Sequence, residues 1–193
     1  MQLGDAARIV NAARDPAEQA RLMAALWLGL RQSEALGLTW ADVHESAPVP
    51  HVEVRQVARR LAGEGMVLQP PKSAASKRVT PMSPAVASVF GAWRADSGGR
   101  GYVWPSPSGG IGDPHADAQL WRDALQRAGV EHAPLHGARG TAATIMLMDT
   151  PLHIVARYLG HSNPMVTLAH YAQTMDGQLG AAADALERRM LER

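Results

Sequence analysis

A mainly α-helical domain with a small three-stranded antiparallel β-sheet is the fold class this sequence predicts, on three observations. Apolar residues recur at three- and four-residue spacing near the start of the chain and again from residue 83 onward. Between them, from residue 51 to 82, the apolar period drops to two. Proline and glycine mark the changes of period, and no internal repeat or low-complexity tract interrupts them.

The first helical stripe is Leu22, Met23, Leu26 and Leu30, and Asp15-Pro16 supplies its start. A short helix is predicted over 33–38. Alternation of Val52, Val54 and Val57 predicts a strand over 51–57, with further strands over 66–69 and 78–82. Gly63-Glu64-Gly65 and the run 70–76 carry turn chemistry, which places Lys72 in the connection before the third strand. Ser83-Pro84 and Asp113-Pro114 each set a capping side chain before a proline, as helix starts do. The segment 97–112, rich in Gly, Pro and Ser, predicts a loop with a brief extended piece at Tyr102–Trp104. Helices are then expected over 114–129, 136–148, 152–159, 164–171 and 178–191.

A chain of 193 residues is long enough to bury one core, and 46% hydrophobic with 19% charged residues is a globular balance. No apolar run approaches the roughly 18–20 residues that cross a bilayer, and the first ten residues lack the pattern of a secretion signal. With no cysteine, disulfides, thiolate nucleophiles and Cys-based zinc sites are excluded. These features lead us to expect no membrane association and a cytoplasmic setting. The net charge of +1 does not advertise nucleic-acid binding. Its distribution says more: Arg55, Arg59, Arg60, Lys72, Lys77 and Arg78 are opposed within their own segment only by Glu64. That strip reads equally as a solvated surface or as a patch for phosphates.

The last third concentrates the chemistry. His136 and Arg139 share one helix face at i, i+3, at a helix start whose free N–H groups suit an anion. Leu159-Gly160-His161-Ser162 follows, and then a helix ending in His170-Tyr171. Two histidines, an arginine and a tyrosine on neighbouring helix ends are what a phosphate site needs, since guanidinium offers a planar, permanently charged fork. Taken singly, each has a structural alternative in a satisfied histidine or a packed phenol.

Taken together, these residues resemble the tyrosine recombinase (phage integrase) family. Gly29-Leu30-Arg31-Gln32-Ser33-Glu34-Ala35-Leu36-Gly37-Leu38-Thr39-Trp40-Ala41-Asp42-Val43 resembles that family's first arginine box. Pro71-Lys72-Ser73 before Lys77-Arg78-Val79 resembles its lysine turn, and His136-Gly137-Ala138-Arg139 its His-x-x-Arg box. Leu159-Gly160-His161-Ser162, with Tyr171 ten residues after His161, resembles its second histidine box and nucleophile.

The resemblance implies the tyrosine recombinase catalytic-domain fold, with residues 1–193 as one catalytic domain lacking the core-binding and arm-binding domains. It implies a site-specific DNA recombinase working through a 3′-phosphotyrosyl intermediate. Tyr171 would be the nucleophile, Arg31 and Arg139 the ligands of the non-bridging oxygens, and Lys72 the general acid. His136 and His161 would assist by hydrogen bonding and proton transfer. Glu34 either orients a catalytic arginine or is an exposed helix carboxylate. No metal and no cofactor are expected, because the cations supply the field that lets a phenol near pKa 10 react. The implied partners are double-stranded DNA bearing a recombination site, further copies forming a tetramer on it, and accessory DNA-bending proteins. The tail helix, within 176–193, either packs on its own domain or docks on a neighbouring protomer.

Three rivals remain beside this reading. A type IB topoisomerase would share the chemistry, though the short Leu-Gly-His box and hairpin lysine favour a recombinase. A non-catalytic DNA-binding relative would be expected to lack one of the cations or the tyrosine. A metal-dependent hydrolase using His115, His132, His136, His153, His161 and His170 would need a ligand spacing this sequence lacks. The recombinase reading requires Arg31, Lys72, His136, Arg139 and His161 to gather around one pocket with the Tyr171 phenol aimed into it, and Arg31 far from Arg139 would end it.

Overall fold

Helix α2 (Pro16–Leu26) is the element around which the rest is arranged. The computed structural model describes residues 3–73, 76–161 and 190. The Asp15 carboxylate accepts the Glu18 N–H at 2.8 Å, with Pro16 in the first turn, so the start read from sequence is the start observed. Every residue from Ala20 to Leu26 is buried, because neighbours cover α2 on several sides. Those neighbours include α1 (Leu3–Asn11), which sequence reading did not identify, α4 (Pro84–Ser97) and α6 (Leu135–Met146). Leu22, Leu26, Phe90, Trp121 and Leu125 form one core with Val52 and Val54. Each such side chain contributes roughly 1.5–3 kcal/mol on burial.

The two predicted cap-then-proline starts are also observed. Ser83 caps α4, and the Asp113 carboxylate accepts from His115 N–H at 2.7 Å and Ala116 N–H at 3.1 Å to open α5 (Pro114–Arg127). Helix α7 (Leu152–Leu159) has the bounds expected, and α6 begins one residue earlier and ends two earlier than expected. The helices expected over 164–171 and 178–191 lie outside the described residues, apart from Met190, which is helical and exposed.

The β region is antiparallel, but its pairing differs from expectation. Three strands do share a sheet: β1 (Val43–His44), β2 (His51–Val54) and β5 (Arg78–Pro81), in the order β1-β2-β5. The run 51–57 is not one strand. It breaks at Arg55-Gln56, and β3 (Val57–Leu61) pairs instead with β4 (Gly65–Gln69) as a separate hairpin. Gln56 explains the break, since its side-chain amide donates to Gly37 O at 2.9 Å and holds β3 against α3 (Gln32–Leu36). Gly37 permits that approach: a Cβ there would lie 3.0–3.1 Å from the Val57 and Ala58 backbone. The extended piece at Tyr102 bridges to Thr39, and Val103 N–H donates to Leu38 O.

A buried ion pair ties α2 to α5. Arg21 on α2 grips Asp117 on α5 with two bonds, 2.6 and 2.8 Å, and Gln32 adds a third to the same carboxylate at 3.0 Å. Bidentate geometry offsets much of the desolvation that burying two charges costs. Among the described residues no helix is long and apolar enough to cross a membrane.

Candidate active site

The site is assembled around a buried carboxylate. Glu34 lies in the first turn of α3 and is 2% exposed, so the exposed-carboxylate alternative is excluded. It accepts from the Arg31 N–H at 2.8 Å and from Arg31 Nη1 at 2.7 Å. Arg78 on β5 adds two parallel bonds of 3.0 Å, and Arg139 Nη1 on α6 stands 3.8 Å from the same carboxylate. Three guanidiniums against one carboxylate leave a local surplus of two positive charges. Burial pushes the Glu34 carboxyl up, but bonds and charge from Arg78, the Arg31 N–H and the Arg139 charge outweigh it and hold it below its ordinary 4.5.

Arg139 is held mainly by backbone carbonyls. Its Nη1 donates to Gly29 O at 2.6 Å, its Nη2 to Leu159 O, and its Nε to His161 Nε2 at 3.2 Å. Burial, then the Arg31 cation, push its pKa down to about 9, with Arg78 adding to the effect against Glu34. It remains a cation at neutral pH, held in surroundings that favour an incoming anion.

Two glycines shape this anchorage. Gly160 ends α7 at φ +68°, and the His161 N–H then closes back on Ala156 O at 2.9 Å, a reversal that brings the imidazole to Arg139. Gly29 sits at φ +58°, and a Cβ there would come within 2.4 Å of Leu159 Cδ2 and 3.8 Å of Arg139 Cγ. Gly29→Ala therefore meets both backbone strain and a collision, and we expect it to lower stability by at least about 2 kcal/mol, read from the urea midpoint at unchanged slope.

Arg31, His136 and Arg139 line one cleft of about 310 Å³, together with Leu30, Gln32, Ser33 and Leu135. Arg31 faces it with a side chain 35% exposed, and His136 is exposed on the first turn of α6. His161 lies across Arg139 in a larger groove of about 930 Å³ whose basic lining is Lys77, Arg78, Arg157 and His153. Lys72 is not brought to either cleft. It is exposed in the β4–β5 connection and forms no hydrogen bond or ion pair among the described residues. Tyr171 lies outside the described residues. Of the other two tyrosines, Tyr158 has its phenol bonded within the fold. Tyr158 donates to Pro81 O at 3.0 Å, with Trp27 O at 3.4 Å, and burial pushes its pKa up to about 12. Tyr102 is engaged in the bridge to Thr39.

Sequence reading missed Arg78 as a site residue, and the strip it belonged to needs correction. The charges from 55 to 78 are opposed through space: Arg55 bonds Asp42, Arg60 bonds Asp113, and Arg78 bonds Glu34. Arg59, Lys72 and Lys77 alone of that set carry no ion pair among the described residues. No local pattern marks Arg78: in β5 Val79 is 56% exposed while Arg78 turns inward, the reverse of an ordinary strand.

The model of the phage integrase family matches residues 2–177. The tyrosine recombinase XerC-like protein of Caldanaerobacter subterraneus subsp. tengcongensis is 26% identical over 189 residues, covering 87% of this chain and 48% of the relative. An integrase of Saccharopolyspora erythraea is 36% identical over 87 residues, covering 44% of this chain and 20% of its own length. The chain thus spans half or less of the curated relatives it matches. Among solved structures, the Tn1549 transposon integrase in complex with transposon right end DNA superposes with a TM-score of 0.76 at 20% identity, over 97% of this chain and 65% of that one. XerA recombinase gives 0.71 at 19% identity, over 88% and 57%. These two likenesses concern the fold, which is the mainly helical one expected. With its family model matched from residue 2 to residue 177, the chain belongs to the phage integrase family.

Proposed function

We propose that this chain is the catalytic domain of a site-specific DNA recombinase that cuts and rejoins DNA by transesterification. The observation that carries the proposal is the shared cleft of Arg31, His136 and Arg139, with two net positive charges around Glu34 and His161 bonded to Arg139. A phosphodiester entering the cleft would place its non-bridging oxygens against Arg31 and Arg139, whose positions are fixed before the charge develops.

In this reading the Tyr171 phenol passes its proton to one of the two histidine imidazoles, His136 or His161, as its oxygen attacks the scissile phosphorus. The bond from phosphorus to the 5′ oxygen breaks, and Lys72 gives its proton to that leaving oxygen. The products are a 3′-phosphotyrosyl ester and a free 5′ hydroxyl. Attack by a 5′ hydroxyl on the ester reverses the sequence of bonds and releases the phenol. His136 and His161 hydrogen-bond the phosphate oxygens and move protons around them. The arginines supply the field that favours the phenolate, so the reading calls for no metal and no cofactor. Lys72 is exposed on its turn, and bound DNA must draw that turn to the phosphate.

The partner is double-stranded DNA, supported by the solved relative in complex with transposon DNA. A homotetramer on that DNA, with tail exchange through 176–193, accessory DNA-bending proteins and a cytoplasmic, nucleoid-associated setting belong to the same proposal. The test is a nicked suicide duplex carrying a candidate recombination site. Covalent adduct is expected in metal-free buffer, and Tyr171→Phe is expected to abolish it. Adduct that survives this change, or that needs Zn²⁺, would overturn the mechanism. Strand exchange between two sites, rather than relaxation of a supercoiled plasmid, separates recombinase from topoisomerase.

A further inference from the structure

On the sheet face opposite Val52 and Val54, three side chains with metal-ligating atoms converge. His44 and His51 are direct cross-strand partners in β1 and β2, and Glu53 stands two residues along β2, on the side of His51. The two imidazoles stack with centroids 4.6 Å apart and an interplanar angle of 25°. Glu53 Oε1 lies 3.4 Å from His44 Nε2 and 4.0 Å from His51 Nε2, and one donor atom from each residue falls within 4.8 Å of the others.

The hydrogen bonding leaves these atoms ready for a ligand. His51 Nδ1 is 2.7 Å from Val49 O, a contact only its N–H form can make, so the lone pair is on Nε2, facing the cluster. His44 Nε2 is shielded from solvent and has no hydrogen-bond partner, because the nearby Glu53 oxygen is outside bonding geometry. Arg55 approaches the other Glu53 oxygen at 3.7 Å but spends its bonds on Asp42. Glu53 Oε1 therefore stays turned toward the histidines.

We propose that His44, His51 and Glu53 form a surface site for a zinc-class divalent transition-metal ion, with water filling the remaining position. Two imidazole nitrogens and a carboxylate oxygen are a ligand set that such borderline ions prefer over hard cations. Metal–nitrogen bonds near 2.0–2.1 Å put tetrahedral ligands roughly 3.4 Å apart, so small side-chain rotations close the present span. The ion clips the two-residue edge strand β1 to β2, which pairs with the Arg78 strand β5. Its role is structural, and it rests on nothing in the recombinase reading. The ligands escape sequence inspection because they come from two strands and match no ligand motif.

The test is a Co²⁺ titration of the full chain in metal-free buffer. A visible d–d band saturating at one equivalent is expected, with displacement by Zn²⁺ and a Zn²⁺-dependent rise in Tm. The double variant His44→Ala/His51→Ala should lose both responses, and Glu53→Gln should weaken Co²⁺ binding at least tenfold. Far-UV circular dichroism and Tm in chelator check that the variants fold. Absence of a saturable one-equivalent site, or binding that persists in the folded double variant, would overturn the proposal.

Discussion

Replacing Glu34 with alanine is expected to cost the fold about 3–5 kcal/mol, the penalty of leaving buried cations without their counter-charge. Arg78 and Arg139 have side chains only 4% exposed, and Arg31 loses its backbone and side-chain acceptor together. Urea unfolding followed by circular dichroism measures the loss; a change under about 1 kcal/mol would mean that the arginines find other acceptors. Glu34→Gln separates charge from shape. Because the folded carboxyl sits below its ordinary 4.5, its charge adds stability that is present above that value and is lost as pH falls below it. The parent protein should therefore lose stability steeply below pH 4.5. The glutamine variant should be weaker at neutral pH and lose less on acidification.

Arg139→Lys is the second large effect, with the rate of covalent adduct formation expected to fall by about 10²–10³. A lysine carries the charge but cannot reach Gly29 O, Leu159 O and His161 at once while still presenting a planar fork to phosphate. Binding of the same duplex should change far less, since most affinity for DNA comes from other phosphate contacts. Equal losses in binding and rate would count against a role in the transition state. A thermal measurement offers a second check. The folded pKa of Arg139, about 9, lies well below that of a free guanidinium, so the cation is less favourable folded than unfolded. Below pH 9 the fold carries that cost in full, and it is relieved as pH climbs above about 9. An oxyanion in the cleft offsets the same cost, so millimolar phosphate should raise Tm in the parent at neutral pH and do so less in Arg139→Gln.

Much of this was legible from the chain alone, for local reasons. Asp15, Ser83 and Asp113 announce their helices because a cap acts within three residues. Arg31, His136 and Arg139 were picked out by resemblance, and their convergence on one cleft follows from α3 and α6 packing around α2. What escaped depends on pairing between distant segments. The strand over 51–57 looked continuous because valines alternate through it, whereas Gln56 breaks it through a contact with Gly37 that no local pattern encodes. Arg78 looked like one more surface cation because inward and outward faces of β5 are defined only once its register with β2 is known. The basic strip looked unopposed because Asp42, Asp113 and Glu34 lie outside it in sequence.

The three-arginine arrangement also bears on how such a chain is made. Synthesis delivers Glu34 and Arg31 well before Arg78, and Arg78 well before Arg139. Until the later segments arrive, the nascent polypeptide presents at that spot a carboxylate balanced by a single cation, which offers little attraction to a nucleic-acid backbone. The full surplus of positive charge around Glu34 appears only when strand β5 and helix α6 have both docked. A chain not yet folded through β5 and α6 therefore lacks two of the three guanidiniums that surround Glu34.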